Sequence, residues 1–353
     1  MSTETTAGAR PLPFLQGVRI VLGLELAQRV RGTSSFVLLG LFFLLVGAVT
    51  GLLVVATGVF SGSGAVVGGF LYSILVYFVL LLGSLVTPAL SGTAVNGERD
   101  AGTLATTQVT LVTTAQLVLG KFVSAWLVAL AFLASTVPFL LVAVGVGGVS
   151  LASASVSVLV LAVQLGVVAA IGVGLSGILD RPLMSVVTTY LVVAAMSLGS
   201  LIAFGLLTAV TQTEQRTVFV DDAEGICGPD YETQVPRADY YWGLLALNPF
   251  VVLADAVPPQ LDDYGSPEDL FTGISLMVRQ SQIAPEPVVE LSCGIGYGES
   301  TRPDTPAEVF DATVPSWFVG LTLQLVLAVG LLLGAIRRTA TPAARLPRGR
   351  RVA

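Results

Sequence analysis

The sequence predicts an all-α polytopic membrane protein with six transmembrane helices, and the distribution of charged residues carries this prediction. Of the 353 residues, 54% are hydrophobic and only 11% are charged, whereas about 25% of a soluble domain is charged. Four stretches contain no charged residue, over residues 32–97, 122–179, 182–213 and 312–336. Because one helical crossing takes about 20 apolar residues, these stretches predict two, two, one and one transmembrane helices.

Glycine-rich and polar links divide the uncharged stretches into individual spans. We expect spans over residues 36–58, 66–92, 122–146, 156–179, 182–210 and 317–336. Pro138 should kink the third span. Asp180 precedes Arg181 and Pro182, and we expect Asp180 to cap the fifth span, because Asp at an N-cap and an early Pro favour the start of a helix.

The positions of the basic residues predict the orientation of the chain in a plasma membrane. If the N-terminus is cytoplasmic, 13 of the 17 Lys and Arg residues lie on the inner side, in keeping with the excess of Lys and Arg in cytoplasmic loops. Both termini are then cytoplasmic. The predicted parts are an N-terminal tail with an interfacial helix (1–35), five spans (36–211), an extracytoplasmic domain (212–313), a sixth span (314–336) and a basic tail (337–353).

The extracytoplasmic domain is strongly acidic, with 18 acidic and four basic residues between positions 214 and 311. It contains both cysteines, Cys227 and Cys293. An oxidising compartment favours a disulfide between them, and two unpaired buried thiols are the alternative. Most of the domain is expected to form an irregular acidic cap.

One segment of this domain, residues 240–257, is apolar but broken by an Asn-Pro pair. Aromatic residues at its start suit a membrane interface, which predicts a shallow or re-entrant helical hairpin. A core helix of the outer domain is the alternative interpretation. The residues that define the segment are Trp242, Asn248, Pro249 and Phe250.

Composition excludes several kinds of chemistry. The chain has no His, which rules out Ser-His-Asp and Cys-His catalysis and zinc hydrolysis through His ligands. Two cysteines cannot build a four-Cys metal site. The sequence lacks the basic face that would indicate nucleic-acid binding. It also has no Walker motif, so we expect no cofactor bound by this chain.

Two glycine patterns and two glutamines lie within the spans. Residues 172–177 match G-x-G-x-x-G, but inside an apolar helix the pattern predicts close helix packing rather than dinucleotide binding. Gly47 and Gly51 predict the same kind of packing in the first span. Gln164 and Gln324 predict interhelical hydrogen bonds, with contacts to a substrate as the alternative.

The loop between the second and third spans, residues 93–121, is the most informative segment. Between residues 102 and 119, six Thr residues recur at spacings of three and four, while Leu and Val fall largely on another face. This pattern predicts a short amphipathic helix at the inner membrane face. The helix is either a plain connection or a docking element for a cytoplasmic partner, and the pattern favours neither.

The same loop resembles that of type-two ATP-binding-cassette (ABC) export permeases. It begins Glu98-Arg99-Asp100-Ala101-Gly102-Thr103-Leu104 and ends with Gly120-Lys121, similar to the E-R-x-x-G-T-L start and terminal G-K of that family. Residues 25–31 are similar to the family's interfacial elbow helix, and residues 247–250 to its N-P-F element. The resemblance implies coupling residues Glu98, Arg99, Asp100, Gly102, Thr103, Leu104, Gln108, Leu111, Gln116, Gly120 and Lys121, and elbow-helix residues Glu25, Arg29 and Arg31.

The resemblance implies a permease subunit that pairs with a second, identical or different, permease and with two cytoplasmic ATPases. The ATPases bind ATP and Mg, and the loop helix couples their closure to alternating access. An uncharged pathway favours a hydrophobic or amphipathic substrate that moves outward. The alternatives are a non-transporting scaffold or receptor subunit whose acidic domain binds a partner, and an intramembrane enzyme, for which the chain offers no nucleophile with an activating base.

Overall fold

The computed structural model describes residues 13–60, 64–101, 112–221, 225–226, 228–292 and 305–340. Within these ranges, six helices are long and apolar enough to cross a membrane, which indicates a multi-pass membrane protein. They are α2 (Thr33–Phe60), α3 (Gly64–Ser91), α5 (Thr114–Val146), α6 (Leu151–Ile178), α7 (Pro182–Val210) and α12 (Trp317–Thr339). Before them runs α1 (Phe14–Arg31), and α4 (Asn96–Asp100) lies between α3 and α5.

Helix α6 is the centre of the bundle. Of its most apolar 18 residues, 72% are buried, against 17% for α2 and 11% for α7. It packs against α12, α3, α5 and α7. Small residues allow these contacts, since a Cβ added at Gly177 would lie 2.4 Å from the Cβ of Ala335, and one added at Gly172 would lie 2.0 Å from Ser91 Oγ. The packing interpretation of residues 172–177 is therefore confirmed.

The other predictions inside the spans have mixed outcomes. A Cβ added at Gly47 would lie 3.0 Å from the Phe139 ring, but one added at Gly51 would have no neighbouring atom within 4 Å in the part of the chain that the structure describes. Gln324 donates a 3.0 Å hydrogen bond to the Leu247 carbonyl. Gln164 is fully buried, and its side-chain amide has no hydrogen-bond partner among the described residues. The interhelical hydrogen bond expected of Gln164 is therefore not found.

The start of α5 corrects the predicted loop helix. Thr113 Oγ1 accepts from the Gln116 N–H, while Gln116 Oε1 accepts from the Thr113 N–H at 2.7 Å, which forms a capping box. The third span therefore begins at Thr114, eight residues earlier than predicted. Residues 112 and 113 are not helical, and the last part of the predicted 102–119 helix belongs to α5. Pro138 lies inside α5, which continues on both sides of it.

The protein is mostly helical, as predicted, but the insertion between α7 and α12 also contains a sheet, which corrects the predicted irregular cap. Its strands are β1 (Gln212–Asp221), β2 (Gly225–Ile226), β3 (Tyr231–Pro236) and β4 (Val288–Ser292). Strand β1 is central, antiparallel to β2 and β3 and parallel to β4. The β-branched and aromatic run at residues 217–220 explains the strand, because such side chains favour a pleated surface.

The described part of the insertion also contains four short helices, α8 (Trp242–Ala246), α9 (Pro249–Ala256), α10 (Leu270–Gln280) and α11 (Pro306–Ala312), and a 3₁₀ turn at Ala238–Tyr240. Helix α9 packs against α10, α12 and α6. The insertion is therefore divided between a sheet and a group of helices joined to the ends of the membrane helices.

Candidate functional site

The predicted coupling residues that the structure describes lie where α1, α4 and α5 meet. We call this region, with the adjoining ends of α6 and α12, the junction end of the bundle. Its centre is Lys121, whose side chain is 1% exposed and pairs with Glu25 of α1 and Glu98 of α4. Lys121 Nζ lies 2.7 Å from Glu98 Oε1. One cation thus joins the predicted elbow helix to the start of the predicted loop.

Close packing of α1 on α5 positions Lys121. A Cβ at Gly120 would lie 2.7 Å from the Val21 Cβ, so no larger residue fits there without a shift. Gln116 Nε2 donates to the carbonyls of Pro13 and Phe14 at 3.4 and 3.3 Å. Because α5 begins at Thr114, these residues lie in its first turns, where they face α1 rather than a loop helix.

A second ionic group lies on the other side of α4. Asp180 accepts hydrogen bonds from Arg99 at 3.0 Å and from Arg338, at the end of α12, at 3.2 Å. The expected role of Asp180 as the cap of α7 is wrong, because the N-cap is Arg181 and it makes no side-chain capping bond. The carboxylate of Asp180 instead joins α4 to the last turn of α12.

Helix α4 is held in place by a buried polar contact that sequence reasoning missed. Ser176 Oγ accepts from the N–H groups of Val95 and Asn96 at 2.9 and 3.2 Å. The same hydroxyl donates to Asn96 Oδ1 at 3.0 Å, and both side chains are fully buried. Asn96 was detectable as the last polar residue of the uncharged stretch that ends before Glu98. Nothing in the sequence distinguishes Ser176 from the other serines of the spans.

A cavity of about 250 Å³ lies between α1 and α4. Its walls include Glu25, Arg29, Glu98 and Lys121. Arg29 donates a 3.0 Å hydrogen bond to the Leu90 carbonyl at the end of α3. Burial lowers the pKa of the Arg29 guanidinium, which nevertheless stays charged at neutral pH. The cavity is thus lined by two acidic and two basic side chains, and its lining includes residues of α1, α3, α4 and α5.

The other predicted junction residues are exposed or lie outside the described ranges. Arg31 and Asp100 are exposed at the ends of α1 and α4. The residues outside the described ranges are Gly102, Thr103, Leu104, Gln108 and Leu111. Cys227 and Cys293 also lie outside them, so their disulfide stays a prediction.

At the opposite end, which we call the insertion end, the predicted residues of the 240–257 segment are brought together. Asn248 caps α9 by accepting from the Phe250 N–H at 2.9 Å, and Pro249 occupies its first turn. The Phe250 ring stacks on Tyr77 of α3, with centroids 6.0 Å apart. Trp242 begins α8. The segment is helical as predicted, and its depth in a membrane stays a prediction.

A buried carboxylate that sequence reasoning missed holds the insertion end together. Asp255 Oδ1 accepts from Arg279 Nε and Ser275 Oγ, both at 2.7 Å. Asp255 Oδ2 accepts from Ser316 Oγ at 2.9 Å, from the Trp317 N–H at 3.0 Å and from the Ser316 N–H. The side chains of Asp255 and Arg279 are 0% and 7% exposed. This network joins α9 and α10 to the first turn of α12, where a negative charge also suits the helix dipole.

Comparison with known protein families and with curated proteins finds no match to this chain. The functional assignment therefore depends on the residues and on the geometry described above.

Proposed function

We propose that this chain is the permease subunit of an ABC exporter, anchored in the plasma membrane with both termini in the cytoplasm. The observation that carries the proposal is the position of α4, the five-residue helix at the start of the coupling loop. Glu98 of α4 belongs to the Lys121 group, which includes residues of α1 and α5. The next residue, Arg99, belongs to the Asp180 group, which includes Arg338 of α12. A movement of the loop therefore has several membrane helices to act on.

The strengths of these contacts suit transmission of a movement. Lys121 is buried, so separating it from both carboxylates is costly, and α1, α4 and α5 tend to move together. Asp180 has a side chain that is 68% exposed, and exposed ion pairs contribute only about 1 kcal/mol or less. The contact of α4 with α12 is thus the one that rearranges easily.

In this proposal the motor is separate from the chain. Two cytoplasmic ATPases bind ATP and Mg, dock on the loop between α4 and α5, and shift the permease between inward-open and outward-open states through differential contacts. Helices α2 and α7 are little buried within this chain, and their apolar surfaces suit membrane lipids or a second permease. The uncharged spans suit a hydrophobic or amphipathic substrate.

The test is co-purification with a cytoplasmic ABC ATPase, followed by measurement of ATP hydrolysis and of transport in lipid vesicles. The double variant Leu104→Asp with Leu111→Asp should abolish ATPase binding and transport while membrane insertion stays normal, because unpaired charges buried in a docking contact cost on the order of several kcal/mol. The matched control, Leu104→Met with Leu111→Met, should retain both. Full ATPase binding and transport by the double Asp variant would contradict the proposal and favour the scaffold or receptor alternative.

A further inference from the structure

Helix α7 contains an irregular turn near its middle. Residues Ala195–Gly199 form a π-helix, in which the Ser200 N–H bonds to the Ala195 carbonyl five residues earlier. Such turns are rare, usually contain one extra residue and often mark functional sites. The turn separates an inner half of α7, Pro182–Ala194, from an outer half, Ser200–Val210.

The extra residue changes which side chains of α7 face the rest of the protein. Ser185 and Thr189 of the inner half are fully buried, and Tyr190 Oη donates to the Leu85 carbonyl of α3 at 2.7 Å. In the outer half, Phe204 packs on Leu245 and Val251 of the insertion. In an uninterrupted α-helix, residues 185 and 204 would point about 100° apart. The π-turn removes this mismatch.

Side-chain donors from inside and outside α7 satisfy the carbonyls of the turn. Ser200 Oγ donates to the Met196 and Ser197 carbonyls at 2.8 and 3.1 Å. Asn248, which is 1% exposed, donates through Nδ2 to the Ser197 carbonyl at 2.7 Å and to Ser200 Oγ at 3.2 Å. In an apolar medium, backbone groups released from regular bonding need such partners. The Asn248 amide is the donor that comes from another element.

We propose that Asn248 is a positioning residue that holds α7 in its π-turn register, and that α7 has a second, fully α-helical register when this amide is withdrawn. In the second register the outer half is rotated by about 100° and shifted by about 1.5 Å. Phe204 then leaves its contact with Leu245 and Val251. Strand β1 follows α7 directly, so the sheet moves with the outer half.

This inference deepens the proposed function, because it gives the exporter a movement at the insertion end. It also separates two roles of one side chain. The side-chain oxygen Oδ1 of Asn248 caps α9, whereas the side-chain nitrogen Nδ2 donates to α7. Asn248→Ser keeps a good capping oxygen but is too short to reach the Ser197 carbonyl. The variant therefore removes the second role and retains the first.

The experiment measures distances by electron spin resonance on the full chain in lipid nanodiscs. Ketone-bearing residues carry the labels, so that Cys227 and Cys293 stay unchanged. One pair joins Leu206 in the outer half of α7 to Val326 in α12, and the control pair joins Leu191 in the inner half to Val326. These positions are 63%, 65% and 63% exposed for Leu206, Val326 and Leu191. Neither ATPase nor substrate is added, so the result does not depend on whether the exporter proposal holds.

In Asn248→Ser, the Leu206–Val326 distance should change by up to about 4 Å, or a second distance should appear, because a one-residue change of register displaces a helical Cα by about 4 Å. The inner pair should stay unchanged. Deletion of Leu198 removes the extra residue, so it should restore the original outer distance to within about 1.5 Å in the Asn248→Ser background. An unchanged outer pair in Asn248→Ser, equal shifts of both pairs, or failure of the deletion to restore the distance would each overturn the proposal.

Discussion

The two ends of the helix bundle are held together by different kinds of contact. At the insertion end, the fully buried carboxylate of Asp255 accepts five hydrogen bonds, one of them from its charge partner Arg279. At the junction end, two separate ionic groups, around Lys121 and Asp180, join the helices, and the side chain of Asp180 is largely exposed. Buried networks hold one arrangement, whereas exposed pairs change partners at little cost. The junction end is therefore the end where α4 and α12 separate easily.

The largest effect is expected from breaking the insertion end. Asp255→Ala leaves Arg279 buried without its charge partner, which should destabilise the protein by about 3–5 kcal/mol. Thermal unfolding in detergent, followed by size-exclusion chromatography, measures the loss. Asp263→Ala, at an exposed aspartate of the same insertion, is the control and should behave as wild type. Equal stability of the two variants would contradict the structural role of Asp255.

The charge of Lys121 should matter somewhat less. Lys121→Met keeps the volume but leaves Glu25 and Glu98 facing each other, and these side chains are 14% and 26% exposed, so water relieves part of the cost. We expect a loss of about 2–3 kcal/mol, below the range for a fully buried pair. The double variant Lys121→Met with Glu25→Gln should lose less stability than the sum of the losses of the two single variants. Additive losses would show that Lys121 and Glu25 do not interact.

Helix packing near the junction end gives a matched pair of glycine variants. Gly177→Ala places a Cβ against Ala335 and should cost about 1–3 kcal/mol through overpacking. Gly51→Ala meets open space in α2 and should be neutral or slightly stabilising, since Ala favours helix more than Gly. The same thermal measurement compares the two. If both variants were equally stable, the close contact of α6 with α12 would be wrong.

The smallest effect is expected at Asp180. Asp180→Asn weakens the contacts to Arg99 and Arg338, and an exposed group of this kind should contribute at most about 1 kcal/mol. The difference in stability between the wild type and Asp180→Asn should also become smaller at high salt, because salt screens exposed charges. A loss as large as that of Lys121→Met, or one that salt does not change, would show that the two ionic groups are equally rigid.

Sequence patterns located the membrane helices and many residues of the junction. Long uncharged stretches leave little choice, because a bilayer demands about 20 apolar residues for each crossing. The junction residues Gln116, Gly120 and Lys121 were expected from the loop resemblance to lie before the third span, Gln116 in a separate loop helix, but all three lie in α5. A capping box extends α5 to Thr114, and local hydrogen bonds of this kind decide a boundary that hydropathy leaves open.

Composition and the pattern of small residues by themselves determined that six helices are long and apolar enough to cross a membrane, and that residues 172–177 pack closely against neighbouring helices, since both follow from local apolarity and residue size. Only the tertiary structure decided which polar side chains meet. Asp255 and Arg279, Ser176 and Asn96, and Asn248 and Ser197 are 24, 80 and 51 positions apart. A single polar residue in an apolar helix carries no pattern that identifies its partner, because the partner is set by how distant helices pack.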